Sequence, residues 1–121
     1  MSETRRAAER RGRRAETLCV WALRLKGYRV LARRLRTPAG EIDILARRGR
    51  ILAVVEVKAR KQVRDALEAL GPAQRLRLQR AGLWALEDQA RRGHSDLSLR
   101  FDVMLVPPGG WPRQISDAWR P

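Results

Sequence analysis

Three side chains in this sequence could do phosphodiester chemistry if they met, namely Asp43, Glu56 and Lys58. Asp43 lies in Gly40-Glu41-Ile42-Asp43 and alternates with Ile42 and Ile44. Glu56 and Lys58 alternate with Val55 and Val57. Strand side chains point to alternate faces, so Glu41 shares a face with Asp43, and Glu56 shares one with Lys58. Arg47-Arg48-Gly49-Arg50 between the two runs suits a hairpin turn, with Gly49 able to take positive φ. Closing that hairpin brings Asp43 near Glu56 and Lys58. Mg²⁺ and Mn²⁺ prefer carboxylate, carbonyl and water oxygens, so Asp43, Glu56 and the backbone carbonyl of Val57 form a candidate ligand set. A cation held there could polarise a phosphodiester and acidify a bound water, with Lys58 stabilising charge on phosphorus. The same residues also allow a plainer arrangement, an edge-exposed Glu56–Lys58 ion pair with Asp43 solvated. The strand ILAVVEVK is almost continuously apolar, which places it centrally and makes its charges hard to solvate.

Charge points the same way. The 121 residues hold 27 Lys and Arg against 13 Asp and Glu, a net charge of +14 with a pI near 11.7. Such a field favours a polyanion as partner. Only Lys26, Lys58 and Lys61 are lysines, and arginine forks pair well with phosphate oxygens. Arg33, Arg34, Arg36, Arg60 and Lys61 flank the candidate site and are expected to hold the nucleic-acid backbone. Such contacts depend strongly on salt and read sequence poorly.

The positioning elements follow from periodicity. Thr4–Lys26 reads as a helix whose later part lines up Ala15, Leu18, Cys19, Ala22, Leu23 and Leu25, ended by Gly27. Residues 1–14 form a basic extension with almost no apolar face, expected to fray. Glu16, beside the apolar stripe, reads on its own as a solvated or ion-paired helix residue. A strand over Tyr28–Leu35 alternates imperfectly because Val30 and Leu31 are adjacent. The turn Thr37-Pro38-Ala39-Gly40 leads to the two strands already described. Asp65–Leu70 starts a helical turn that Gly71-Pro72 breaks, and a helix over Ala73–Arg92 follows with Pro72 at its first position. Its apolar stripe is read as Leu76, Leu83 and Leu86, with Leu78 and Ala85 alongside. Leu97–Val106 is a fourth strand, in which Asp102 reads as structural. The tail is a last edge strand or a short helix. Trp21 and Trp84 are expected in the core, with Trp111 and Trp119 capping it. The order α-β-β-β-α-β makes this an α/β chain, one domain with a mixed central sheet flanked by helices.

Several classes are excluded. No apolar run approaches the roughly 20 residues of a membrane span. The start lacks a secretory apolar region, and Glu3, Glu9 and Glu16 argue against a transit peptide. With only Cys19 and His94, a Cys/His zinc site is excluded, and a single cysteine suits the reducing cytoplasm. His94 sits in a polar turn, where no catalytic role is expected.

Gly40-Glu41-Ile42-Asp43 followed by Val55-Glu56-Val57-Lys58 resembles the D…ExK signature of restriction-endonuclease-like folds. Nearly the whole chain is similar to the YraN family of bacterial proteins, related in pattern to archaeal Holliday-junction resolvases. The likeness includes Ala15-Glu16, Gly27-Tyr28, VEVKAR, Ala69-Leu70-Gly71-Pro72, Arg100-Phe101-Asp102-Val103, and Ile115 with Ala118-Trp119. It implies an active site of Glu16, Asp43, Glu56 and Lys58, with Glu16 joining the metal ligands. Gln74 stands where the family usually has lysine, and related nucleases use glutamine there. The expected function is a Mg²⁺- or Mn²⁺-dependent endonuclease on DNA, branched or damaged DNA included. Resolvase-type action favours a homodimer. The competing readings are a binding module that keeps the fold without cutting, and an RNA- or ribosome-associated protein.

Overall fold

An almost continuously apolar strand must be covered on both faces, and the third strand shows this directly. In the computed structural model, which describes residues 2–121, the chain runs α1 (Ser2–Leu25), β1 (Arg29–Thr37), β2 (Gly40–Arg48), β3 (Ile51–Lys58), α2 (Val63–Glu68), α3 (Pro72–Arg91), β4 (Ser98–Leu105) and β5 (Arg113–Trp119). Leu52 and Val54 of β3 pack with Ile42, Leu45, Leu78, Ala81, Ala85 and Phe101 on the α3 side. Ala53 and Val55 pack on the opposite side with Ala15, Cys19, Ala22 and Leu23 of α1. One helix on each face thus buries the sheet.

The five strands lie in the order β1-β2-β3-β4-β5. All neighbours are antiparallel except β3 and β4, which run parallel. A parallel pair needs a long crossover, and α2 and α3 supply it. This is the mixed, helix-flanked sheet expected of a restriction-endonuclease-like core, and the tail resolves as the edge strand β5. The imperfect alternation at Val30-Leu31 corresponds to a register shift between Val30 and Ala32. Among the described residues, no helix is long and apolar enough to cross a membrane.

Glycine matters most at two places. At the end of α1 the N–H of Tyr28 bonds to the Leu23 carbonyl at 3.0 Å, with Gly27 at φ +90, a helix stop that only a left-handed residue permits. In α3, a Cβ on Gly82 would lie 3.1 Å from the Phe101 ring and 3.2 Å from Val54. The missing side chain lets the helix settle onto the sheet.

That close approach corrects the expected stripe of α3. Its buried face is Leu78, Ala81, Gly82, Ala85 and Gln89, whereas Leu76 and Leu83 are exposed. Small residues face the sheet and the two large leucines are left outside. Leu25, expected on the buried stripe of α1, is exposed as well. The tryptophans also divide differently. Trp119 is buried and stacks on Phe101 with centroids 5.2 Å apart, and Trp84 packs against the same core while partly exposed. Trp21 points outward, its ring 5.6 Å from the Arg24 guanidinium, and Trp111 does not cap the core at all.

Asp102 is fully buried in β4 and its acceptor capacity is well used. It takes two hydrogen bonds from Arg100, one from the Gln114 amide and one from the Asp117 N–H. Arg100 also donates to the Tyr28 hydroxyl. The residue tethers β5 to β4, as its structural reading required. Asp102→Ala should cost about 3–5 kcal/mol in urea denaturation, because it leaves Arg100 and Gln114 without their anion. A loss below about 1 kcal/mol would show that solvent replaces the tether without penalty.

Candidate active site

The candidate site forms where the β2–β3 ladder ends. Paired residues run from Arg48–Ile51 to Ile44–Val55 and no further. One step on, the Asp43 side chain replaces the ladder, its Oδ2 accepting the Val57 N–H at 2.8 Å. Ile42 and Ile44 flank this point yet pack into the two opposite core layers, so the strand turns at Asp43. On its other edge β3 stays paired with β4 through Glu56–Val103 and Lys58–Leu105. Glu56 and Lys58 are therefore held by a braced strand whose opposite edge has opened.

Glu56 is only 6% exposed. Its Oε1 accepts from the Gln74 amide at 3.3 Å, and the Lys58 ammonium lies 3.9 Å from the same oxygen. Asp43 and Glu56 meet as the hairpin required, and Gln74 reaches Glu56 from the first turn of α3. Burial, and then the charge and hydrogen bonding of Asp43, push the Glu56 carboxyl up to about 8, against a smaller opposing pull from Lys58. Two carboxylates this close hold a surplus of negative charge that one lysine does not cancel. Oxygen donors with such a surplus suit a hard divalent cation, and Asp43, Glu56 and the Val57 carbonyl could hold one.

Glu16 lies elsewhere in the same cleft. It is buried beside Asp43, Glu56 and Val57 along a hollow of about 440 Å³ that Arg34 and Glu41 also line. Both of its oxygens are engaged, by Arg33 Nε and Arg34 Nε at 3.2 Å each. Arg33 also donates to Thr17 at 3.0 Å. Glu16 is thus ion-paired, one of the two arrangements its own position allowed, and its carboxylate faces the two arginines. Among the described residues, no three acidic, histidine or cysteine groups form a metal-binding cluster. Arg33 and Arg34, expected on phosphates, are committed first to Glu16. Arg34 does so from a left-handed backbone with φ +48, a strained conformation in a strand. The sequence carried no sign of that strain.

The remaining expected residues sit around the rim. Arg36 is exposed and 4.0 Å from Glu41, so Glu41 does face a basic neighbour. Arg60 and Lys61 are exposed just beyond β3. Cys19 lies beneath the cleft, fully buried, and its thiol is pushed up to about 12 by burial and then by Asp43 and Glu16. It is an inert core residue.

Glu56 fixes how stability should vary with pH. The unfolded carboxyl ionises near 4.5 and the folded one near 8, so the folded state holds a proton that the unfolded state has lost between them. Stability is then greatest below the lower value and falls as pH rises toward the upper one. The loss is on the order of a few kcal/mol. In EDTA the melting temperature should drop between about pH 5 and pH 8, and Glu56→Gln should remove most of that slope. An equal slope in the variant would assign the titration to another group.

Comparison with known proteins places this site in a family. Residues 15–106 match uncharacterised protein family UPF0102, a stretch holding Glu16, Asp43, Glu56, Lys58 and Gln74. The chain is 62% identical over 116 residues to a UPF0102 protein of Parvibaculum lavamentivorans, covering 95% of this chain and 85% of that protein. It is 50% identical over 113 residues to one of Caulobacter vibrioides, covering 93% and 89%. A Maricaulis maris relative is 48% identical over 122 residues, covering 100% and 94%. The resemblance to YraN proteins is borne out, and the chain belongs to the UPF0102 family.

Proposed function

We propose that this chain is a Mg²⁺- or Mn²⁺-dependent endonuclease acting on DNA, branched or damaged DNA included. The observation that carries the reading is the meeting of Asp43, Glu56 and Lys58 at the open end of β2–β3, with Gln74 bonded to Glu56. The net charge of +14 supports a phosphate backbone as partner.

A bound cation would neutralise the scissile phosphate and generate hydroxide from water near neutral pH. The chain's own groups are arranged to use it. The Val57 N–H fixes Asp43 through Oδ2. Gln74 fixes Glu56 through Oε1. Lys58, largely withdrawn from water, can donate a hydrogen bond to a non-bridging phosphate oxygen where charge develops. Arg36, Arg60 and Lys61 would hold the flanking phosphates.

One observation favours a second reading. Both Glu16 oxygens are paired with arginines, whereas the YraN likeness implies a place for Glu16 among the metal ligands. A module that binds nucleic acid without cutting would tolerate that arrangement.

Cleavage separates the two. Purified protein should nick or cut one of supercoiled, single-stranded and four-way-junction DNA in Mn²⁺ and none in EDTA. Asp43→Ala and Lys58→Ala should each slow cutting by about 100-fold or more. The nuclease reading fails if no substrate is cut, or if cutting survives either substitution. Salt-sensitive binding without cutting would establish the module instead.

A further inference from the structure

Beyond β4 the chain is built to hold one tryptophan away from the core. Val106 is buried and is followed by Pro107-Pro108-Gly109-Gly110. Gly109 takes φ +66, and the Gly110 N–H closes the turn on the Pro107 carbonyl at 3.0 Å. A Cβ on Gly110 would come within 2.6 Å of Pro107 Cγ, so only glycine fits there. Two prolines and two committed glycines leave this loop few alternatives. It delivers Trp111 to the surface 55% exposed.

A lone exposed apolar residue needs no explanation. Trp111, however, borders a hollow of about 730 Å³ between this loop and α1. Leu18 and the proline rings line it, and Arg11 and Arg14, one helical turn apart, stand on its rim. Among the described residues, no acidic side chain lines it. Ala15 and Ala59 line both this hollow and the candidate active site, so the two adjoin. An aromatic face beside two guanidiniums matches a nucleotide, with an apolar ring to stack and a phosphate to pair.

We propose that this hollow receives an unpaired base of a DNA strand whose backbone continues into the Asp43–Glu56–Lys58 cleft. The base stacks on Trp111, and its phosphates meet Arg11 and Arg14. The inference rests on the nucleic-acid reading of that cleft and narrows its substrate. Strands with unpaired bases, such as flaps, gaps and branch points, are preferred to blunt duplex, whose bases already stack on each other.

The test is binding in EDTA, where the cation-dependent cutting proposed above cannot occur. A fluorescein-labelled single-stranded oligonucleotide and its blunt duplex are titrated at matched salt and followed by anisotropy. Trp111→Ala should weaken single-strand binding about tenfold or more and change duplex binding less than about twofold. Trp111→Phe should restore most of the difference. The residue is exposed, so both variants should melt as the wild type does. Equal losses on the two DNAs, or no loss, would overturn the inference. Cutting in Mn²⁺ by the same proteins keeps the two proposals apart. Cutting that depends on Lys58, without strand selectivity from Trp111, leaves the nuclease and removes this subsite. Trp111-dependent selectivity in a protein that never cuts does the reverse. Failure of the wild type to bind any DNA would remove both.

Discussion

The hydrogen bond from the Val57 N–H to Asp43 Oδ2 decides the shape of this protein's cleft. A buried N–H must find a partner, and in a regular hairpin it would be a carbonyl of the neighbouring strand. Here a carboxylate supplies it, and β2 is released from β3 beyond Ile44–Val55. The release opens a cleft at the middle of the sheet rather than at its rim. It would also weaken β3 were that strand not paired along its other edge with β4 through Lys58–Leu105. One side of β3 is therefore rigid while the other is accessible. That combination suits reacting groups, which need fixed positions and a route for substrate.

Two buried carboxylates in the same sheet show how differently such a group can be treated. Asp102 has an arginine fork, an amide and a backbone N–H around it, and the same arginine also donates to the Tyr28 hydroxyl. Its charge is matched where it stands, and its role ends at joining β5 to β4. Glu56 has one amide, a lysine at 3.9 Å and a second carboxylate close by. The folded protein relieves that surplus by keeping a proton that an ordinary glutamate would have lost. A proton is one remedy for the surplus and a cation is another. The chain leaves both open because its abundant arginines go elsewhere, two of them to Glu16.

The sequence showed the heart of this arrangement and missed its edges, for physical reasons. Alternation in two short strands placed Asp43, Glu56 and Lys58 together, because strand geometry is local and its period is simple. The unbroken apolar run of β3 revealed burial on both faces. Helix α3 was harder. Its leucines suggested one face, but close packing selected Leu78, Ala81, Gly82 and Ala85, whose small members allow contact with Phe101 and Val54. Periodicity measures where apolar residues cluster, and contact distance depends on size. Trp21 and Trp111 were misplaced for a related reason, since aromatic character alone does not show which side of an element is covered. Glu16 read on its own as either solvated or ion-paired, and its partners, from a strand with an unusual backbone at Arg34, were not legible.

Helix α1 ties these features into one surface. It is about 36 Å long. Its second half supplies Ala15, Cys19, Ala22 and Leu23 to the core, and residues 4–14 before it are almost entirely exposed and rich in arginine. Glu16 sits at the junction, where burial begins, and its two arginines anchor the helix to β1. That anchor fixes the direction in which the arginine-bearing half projects. It also sets Arg11 and Arg14 on the same hollow as the Pro107–Gly110 turn, and Ala15 and Ala59 line both that hollow and the cleft. As built, a single chain of nucleotides could lie along both, with its charge met by the helix and its path ending at Asp43 and Glu56.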